Sequence, residues 1–110
     1  MVYTKQCKNR IEEFIIQAVL NNLNLNEKVE YLLNDVDPST KNDVENSIVA
    51  MGAKVVNILV EKLQTLKGLQ RGIVAMSLIR IGESSVEPLR ALAMEKSEHQ
   101  WMADYLLSEI

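Results

Sequence analysis

The stretch RGIVAMSLIRIGESSVEPL, residues 71–89, decides the fold, because it predicts an amphipathic helix, a tight turn and the start of a second helix. Residues spaced three and four apart share one face of an α-helix. That face comprises Ile73, Val74, Ser77, Leu78 and Ile81. Gly82 then supplies the unhindered backbone that a helix end favours. Ser84 and Glu87 fit a capping box at the start of the next helix.

The same pattern of residues returns at a period near 30 in both directions. A shift of 30 aligns Gly52 with Gly82, and four further pairs share this shift: Lys41/Arg71, Ile48/Leu78, Val56/Val86 and Leu59/Leu89. A shift of 29 aligns Leu107 with Leu78, and a shift of 27 aligns Val29 with Val56. A period near 30 with two helices per unit is typical of an α-solenoid, whose stacked helix pairs share one core.

This period predicts an all-α fold, an α-α superhelix of about three helix pairs plus one terminal helix, with no β-sheet. The predicted pairs cover approximately residues 5–36, 38–66 and 69–95, and the last helix covers residues 98–109. All of them belong to a single predicted domain, residues 1–110. Further helix starts are indicated by Asn24 with Glu27, Asp37 with Pro38, and Ser97 with Gln100.

Composition and charge disfavour several classes of protein. The net charge is −3 at pH 7 with acids and bases interspersed, which disfavours nucleic acid as a partner. The sequence contains no apolar run of about 18 residues, which is the length that a membrane-spanning helix requires. Its N-terminus lacks the pattern of a signal sequence. Cys7 is the only cysteine, so neither an internal disulfide nor a cysteine-based metal site can form. We therefore expect a cytoplasmic protein without a membrane partner.

The sequence predicts no catalytic, metal or cofactor site. His99 is the only histidine, and its helical neighbours do not supply the companions that a metal ligand requires. Ser84 and Ser85 are explained as helix caps, and no G-x-S-x-G motif surrounds a serine. Neighbouring acids such as Glu12 and Glu13 point apart on a helix. We therefore predict a protein that is not an enzyme and takes no cofactor.

Two segments resemble HEAT repeats of the short bacterial type, which also occur in phycobilisome-lyase-like proteins. One contains LLNDVDPSTK and IVAMG within residues 32–52, and the other contains RGIVAMSLIRIG and VEPL within residues 71–89. The shared pattern is an apolar pair, a D-x-D-P turn, a basic residue and an apolar helix that ends in glycine. The central repeat lacks the D-x-D-P turn. The resemblance implies an α-solenoid in which Lys41 and Arg71 reach acids of the preceding turn, Asp35 and Asp37 in the case of Lys41.

The favoured hypothesis is a non-enzymatic protein-interaction module or small scaffold, because stacked helix pairs present a shallow concave surface. The candidate partner-binding residues on that surface are Asn57, Glu61, Gln64, Glu87 and Arg90. Trp101 and Tyr105 form a second candidate patch on the last helix, since large aromatic side chains anchor interfaces, with core packing as their alternative role. A homodimer through this C-terminal end is a variant of the hypothesis.

Two other functions stay open at this point. The resemblance also implies an accessory subunit or a lyase-type chaperone for a cofactor-bearing protein, an analogy that rests on fold alone. Some HEAT-like arrays hold DNA, and Lys5, Lys8 and Arg10 cluster near the N-terminus. A phosphate-binding surface requires a continuous basic stripe, however, whereas the basic residues here are accompanied by acids.

Overall fold

The computed structural model describes residues 24–110, so the first predicted helix, Cys7 and the basic N-terminal cluster lie outside the described residues. The described part consists of helices, with no β-strand, which confirms the all-α prediction for these residues. The α-helices are α1 (Leu25–Asn34), α2 (Lys41–Met51), α3 (Val56–Leu63), α4 (Gly68–Ile81), α5 (Val86–Glu95) and α6 (Gln100–Glu109). Short 3₁₀ segments, Gly52–Val55, Gly82–Ser85 and Ser97–His99, lead into α3, α5 and α6.

The helices pack in two layers. Helices α2, α4 and α6 lie side by side, with α4 in contact with both of the others. Helix α3 lies beside α5 in the second layer, and the layers meet where α3 packs on α4 and α5 packs on α6. Helix α1 contacts α2 and the 3₁₀ segment that follows it. Helix α4 therefore buries one face against the opposite layer and both flanks against α2 and α6.

A single cluster of buried apolar side chains runs between the layers. The predicted face of α4 supplies its centre, where Ile73, Val74 and Leu78 are buried and Ile81 is half-buried. Ser77 is also fully buried, and its hydroxyl donates to the carbonyl oxygen of Ile73 at 2.7 Å. That bond satisfies the one polar group on this face, so the predicted helix face is confirmed.

Two glycines end the helices of the first layer, as the sequence predicts. Gly52 follows α2 with φ of +69°, and Gly82 follows α4 with φ of +81°. Residues with a side chain rarely adopt a positive φ, whereas glycine adopts it freely. The chain reverses at both positions through a short 3₁₀ segment. Equivalent turns thus recur at the period that the sequence predicts.

Of the two predicted capping boxes, the structure contains the one at Asn24 and not the one at Ser84. Asn24 and Glu27 form the capping box, with Asn24 Oδ1 accepting from Glu27 N at 2.8 Å and Glu27 Oε1 accepting from Asn24 N at 3.1 Å. The box predicted at Ser84 is wrong, because a 3₁₀ segment separates this residue from the start of α5. Its neighbour Ser85 is buried instead, and the Ser85 hydroxyl donates to Leu78 O at 2.8 Å.

Asp37 and Ser97 also differ from the prediction, since neither caps an α-helix. Helix α2 begins at Lys41, and Asp37 Oδ1 accepts from Ser39 N at 2.8 Å and Thr40 N at 3.0 Å in the preceding turn. Ser97 opens a 3₁₀ segment before α6. A short turn thus separates each capping signal from its helix, and residue spacing alone does not reveal it.

Burial corrects one of the predicted shifts. Val29 and Leu33 of α1 are buried, and a shift of 30 aligns them with the buried Leu59 and Leu63 of α3. The predicted shift of 27 pairs the buried Val29 with the buried Val56 but Leu33 with the half-buried Val60, so a shift of 30 fits the burial of these helices better. The shift of 29 between α4 and α6 is confirmed, because it pairs three buried positions of each helix. These pairs are Ile73/Met102, Val74/Ala103 and Ser77/Leu106.

Candidate docking grooves

Two surface grooves lie along the second layer of helices. The first groove has a volume of about 480 Å³ and runs between α1 and α3. Its lining residues include Glu27, Glu30, Tyr31, Asn34, Lys62 and Leu66. The second groove has a volume of about 290 Å³ and runs between α3 and α5. Its lining residues include Asn57, Val60, Glu61, Gln64, Leu92, Glu95 and Lys96.

The linings of the two grooves match at a shift of 30 residues. At a shift of 30, four positions of α1 in the first groove match three positions of α3 and the residue that follows it in the second, and two residues on the far wall match as well. The six pairs are Glu27/Asn57, Glu30/Val60, Tyr31/Glu61, Asn34/Gln64, Lys62/Leu92 and Leu66/Lys96. The spacing that the sequence shows in its apolar residues therefore also holds for the surface between the helices.

Two polar contacts hold the walls of the first groove together. Lys62 Nζ lies 3.1 Å from Glu30 Oε1, and the lysine side chain is only 16% exposed. Gln70 Nε2 donates to Leu33 O at 2.7 Å, near the C-terminal end of α1. The last carbonyl groups of a helix have no partner within the helix. The Gln70 amide supplies such a partner, so this contact from α4 stabilises the C-terminal end of α1.

The basic residues that brace the helices are not those implied by the HEAT resemblance. Among residues 24–110, Lys41 and Arg71 form no ion pair, and Asp37 accepts hydrogen bonds within its own turn instead. Arg80 of α4 performs the bracing role, with Nη1 2.8 Å from Glu45 Oε2 and 2.9 Å from Asn46 Oδ1 of α2. These contacts join helices about one repeat apart.

The structure divides the predicted concave-surface residues into two groups. Asn57, Glu61 and Gln64 lie together in the second groove. Glu87 and Arg90 lie outside it and pair with each other, with Arg90 Nη1 2.8 Å from Glu87 Oε1. The reason is the repeat itself, because these two residues are the equivalents of Asn57 and Val60 and so lie on the side of α5 that faces away from α3.

Trp101 and Tyr105 lie on the solvent-facing side of α6, with 66% and 59% of their surface exposed. Core packing, the alternative role predicted for them, is wrong, since Met102, Ala103 and Leu106 fill the core face. Met76 of α4 is 47% exposed, and a shift of 29 aligns it with Tyr105. We call Met76, Trp101 and Tyr105 the outer patch. It lies on the layer opposite to the grooves.

Sequence reasoning misses the whole first groove. Subtracting 30 from the numbers of Asn57, Glu61 and Gln64 gives Glu27, Tyr31 and Asn34, all of which line it. The signal is therefore present in the period. A shift of 27 instead aligns Gln64 with Asp37, which does not line the first groove.

Three side chains that could take part in catalysis, those of Ser77, Ser85 and His99, contact nearby protein groups. The buried hydroxyls of Ser77 and Ser85 both donate to backbone carbonyl oxygens. His99 Nε2 lies 3.8 Å from Oε1 of the adjacent Glu98. Within residues 24–110, no group of three or more His, Cys, Asp or Glu side chains is arranged to hold a metal ion.

Comparisons with protein-family models, with curated proteins and with solved structures give no significant match. The structure adds one exclusion, since none of the helices in residues 24–110 has the length and apolar character needed to cross a membrane.

Proposed function

We propose that the chain is a HEAT-like α-solenoid that binds another protein through the two grooves of its second layer. The observation that carries this proposal is the match of six lining pairs between the grooves at a shift of 30. In a repeat array, each unit adds one equivalent groove, and a row of such grooves forms an extended binding surface.

The lining of the grooves supports protein binding over catalysis. Apolar side chains such as Leu66 and Leu92 form part of the walls, and exposed carboxylates and amides surround them. An apolar centre with a polar rim is typical of protein interfaces. Among the described lining residues, none is a serine, threonine, cysteine or histidine that could act as a nucleophile or imidazole base. We therefore propose a non-enzymatic module without a cofactor.

Site-specific photo-crosslinking tests the proposal. Tyr31 lines the first groove and Tyr105 belongs to the outer patch, and both are about half exposed. Benzoylphenylalanine would replace each tyrosine in the full chain, which would be irradiated in an extract of its source cells. We expect a discrete protein adduct from position 31 and none from position 105. Adducts from position 105 alone would assign binding to the outer patch and contradict the proposal.

A further inference from the structure

We infer that the segment bound in these grooves is extended and basic, with Lys or Arg side chains at every third position, one for each groove. The inference rests on the proposed function and specifies the chemistry of the partner. Three features of the grooves carry it: their charge, their aliphatic walls and their spacing.

The charge of the grooves is acidic after internal pairing. Their carboxylates come from Glu27, Glu30, Glu61 and Glu95, whereas their cations are Lys62 and Lys96. Lys62 is occupied by Glu30 at 3.1 Å. Three carboxylates therefore remain against Lys96, two in the second groove and that of Glu27 in the first, where one oxygen of Glu27 also accepts from Asn24 N in the capping box. Charge complementarity of this kind selects a cationic partner and repels an acidic one.

The walls of the grooves suit the long side chains of lysine and arginine. Half-buried Leu66 lies in the first groove, and half-buried Val60 lies in the second. Lys and Arg bury their methylene stems along such apolar surface while the charged end stays near a carboxylate. The ring of Tyr31 is 47% exposed at the first groove and offers a face to a guanidinium group.

The spacing of the grooves determines the spacing of the basic residues. Helices packed in one layer stand about 8–10 Å apart. A polyproline II segment rises about 3.1 Å per residue and has three residues per turn, so every third residue lies on one side, about 9 Å from the last. That distance matches one helix step.

Fluorescence anisotropy with labelled peptides tests the inference. The probe is a short proline-rich peptide with two arginines three positions apart, and the comparison peptide has the same composition with adjacent arginines. With the full chain at about 50 mM salt, we expect the spaced peptide to bind about tenfold more tightly, and we expect its affinity to fall as salt rises. Equal affinities, or binding insensitive to salt, would overturn the inference.

A pair of matched variants assigns the binding to the grooves. Glu61→Gln with Glu95→Gln removes two carboxylates from the second groove, and Glu98→Gln with Glu109→Gln removes two exposed carboxylates elsewhere. We expect the first variant to weaken the spaced peptide about five- to tenfold and the second to leave it within about twofold. Thermal unfolding of both confirms that each is folded. Equal weakening in the two variants would also overturn the inference.

Crosslinking separates this inference from the proposed function. Mass spectrometry of the adduct at position 31 identifies the segment of the partner that touches the groove. A segment without Lys or Arg at a spacing of three would overturn the inference and leave the proposed function standing. Failure of position 31 to crosslink any protein would instead remove the proposed function itself.

Discussion

Helices α4 and α6 occupy equivalent places in the first layer and bury the same face, yet their flanks differ. Ala75 and Ile79 of α4 are half-buried, whereas their equivalents at a shift of 29, Asp104 and Ser108 of α6, are exposed. Helix α4 has a neighbour on each side, but the described helices place only α4 beside α6 in this layer. The burial of a side chain on the flank of a helix thus depends on the number of neighbouring helices. The burial of a side chain on the core face depends on its position in the repeat.

The turns that lead into α2 and α4 show a second contrast. Before α2, the carboxylate of Asp37 accepts hydrogen bonds from Ser39 and Thr40. Before α4, residues 64–67 contain no acid, and Gln70 reaches back to Leu33 O instead. The two repeats therefore reach the same helix arrangement through different local contacts. Mutations at paired positions can show which contacts depend on the repeat and which on the local sequence.

The largest difference is expected between Leu78→Ala in α4 and Leu107→Ala in α6. The two residues are equivalent at a shift of 29, but Leu78 is fully buried and Leu107 is half-buried. Removing Leu78 leaves a cavity in the core, so we expect the free energy of unfolding to fall by about 2–5 kcal/mol. Leu107→Ala should cost about 1 kcal/mol, because less apolar surface returns to water. Chemical denaturation of both variants measures the difference, and equal losses would contradict the contrast between the helices.

Two glycines of the α4 repeat should respond to alanine with opposite signs. Gly82 has φ of +81°, so a side chain there is strained, and we expect Gly82→Ala to destabilise the fold by about 1–2 kcal/mol. Gly72 lies on the exposed side of α4, and no atom lies within 4 Å of an added β-carbon. Gly72→Ala should therefore stabilise the fold by about 0.5–1 kcal/mol. Thermal unfolding gives both values, and a shared sign would refute the assigned helix end.

The coupling energy of the ion pair between Arg80 of α4 and Glu45 of α2 should exceed that of the pair between Arg90 and Glu87 within α5. Glu45 is only 16% exposed, whereas both Arg90 and Glu87 are largely exposed. A double-mutant cycle with Arg80→Met and Glu45→Gln should give a coupling energy of about 0.5–1 kcal/mol. The cycle for Arg90 and Glu87 should give about 0.3 kcal/mol. Coupling that persists unchanged in about 1 M salt would argue against an electrostatic origin.

The sequence predicts what depends on local periodicity and misses what depends on contacts between repeats. The core face of α4 and the stops at Gly52 and Gly82 follow from residue spacing and backbone freedom, and the structure confirms them. Aromatic character does not specify which side of a helix packs inward, so the sequence leaves core packing open for Trp101 and Tyr105 although both are exposed. The deciding contacts come from α4 and α5, which lie next to α6 only after folding.

The candidate grooves show the same limit. Asn57 and Glu61 lie on α3 and Gln64 follows its last residue, so their common face follows from their spacing alone. The opposite wall is built by α5, one repeat away, and only the packing of α3 on α5 places it there. The sequence groups Glu87 and Arg90 with these residues because all of them lie opposite an apolar stripe. Equivalent positions in a repeat line successive grooves, however, and not the same one.

The smallest expected effect concerns the pH dependence of the turn before α2. Hydrogen bonds from the Ser39 hydroxyl and from the backbone N–H groups of Thr40 and Ser39 lower the pKa of Asp37 below its ordinary value of 3.8. A carboxylate with a lowered pKa stabilises the folded state above its unfolded pKa and loses that contribution as pH falls through its folded pKa. Wild type should therefore be more stable than Asp37→Asn near neutral pH, and the difference should shrink below about pH 3.8. Urea denaturation at several pH values measures it. In a Ser39→Ala background the neutral-pH difference should be smaller, because the main donor is gone, and a difference that grew as pH fell would show that the turn does not favour the ionised carboxylate.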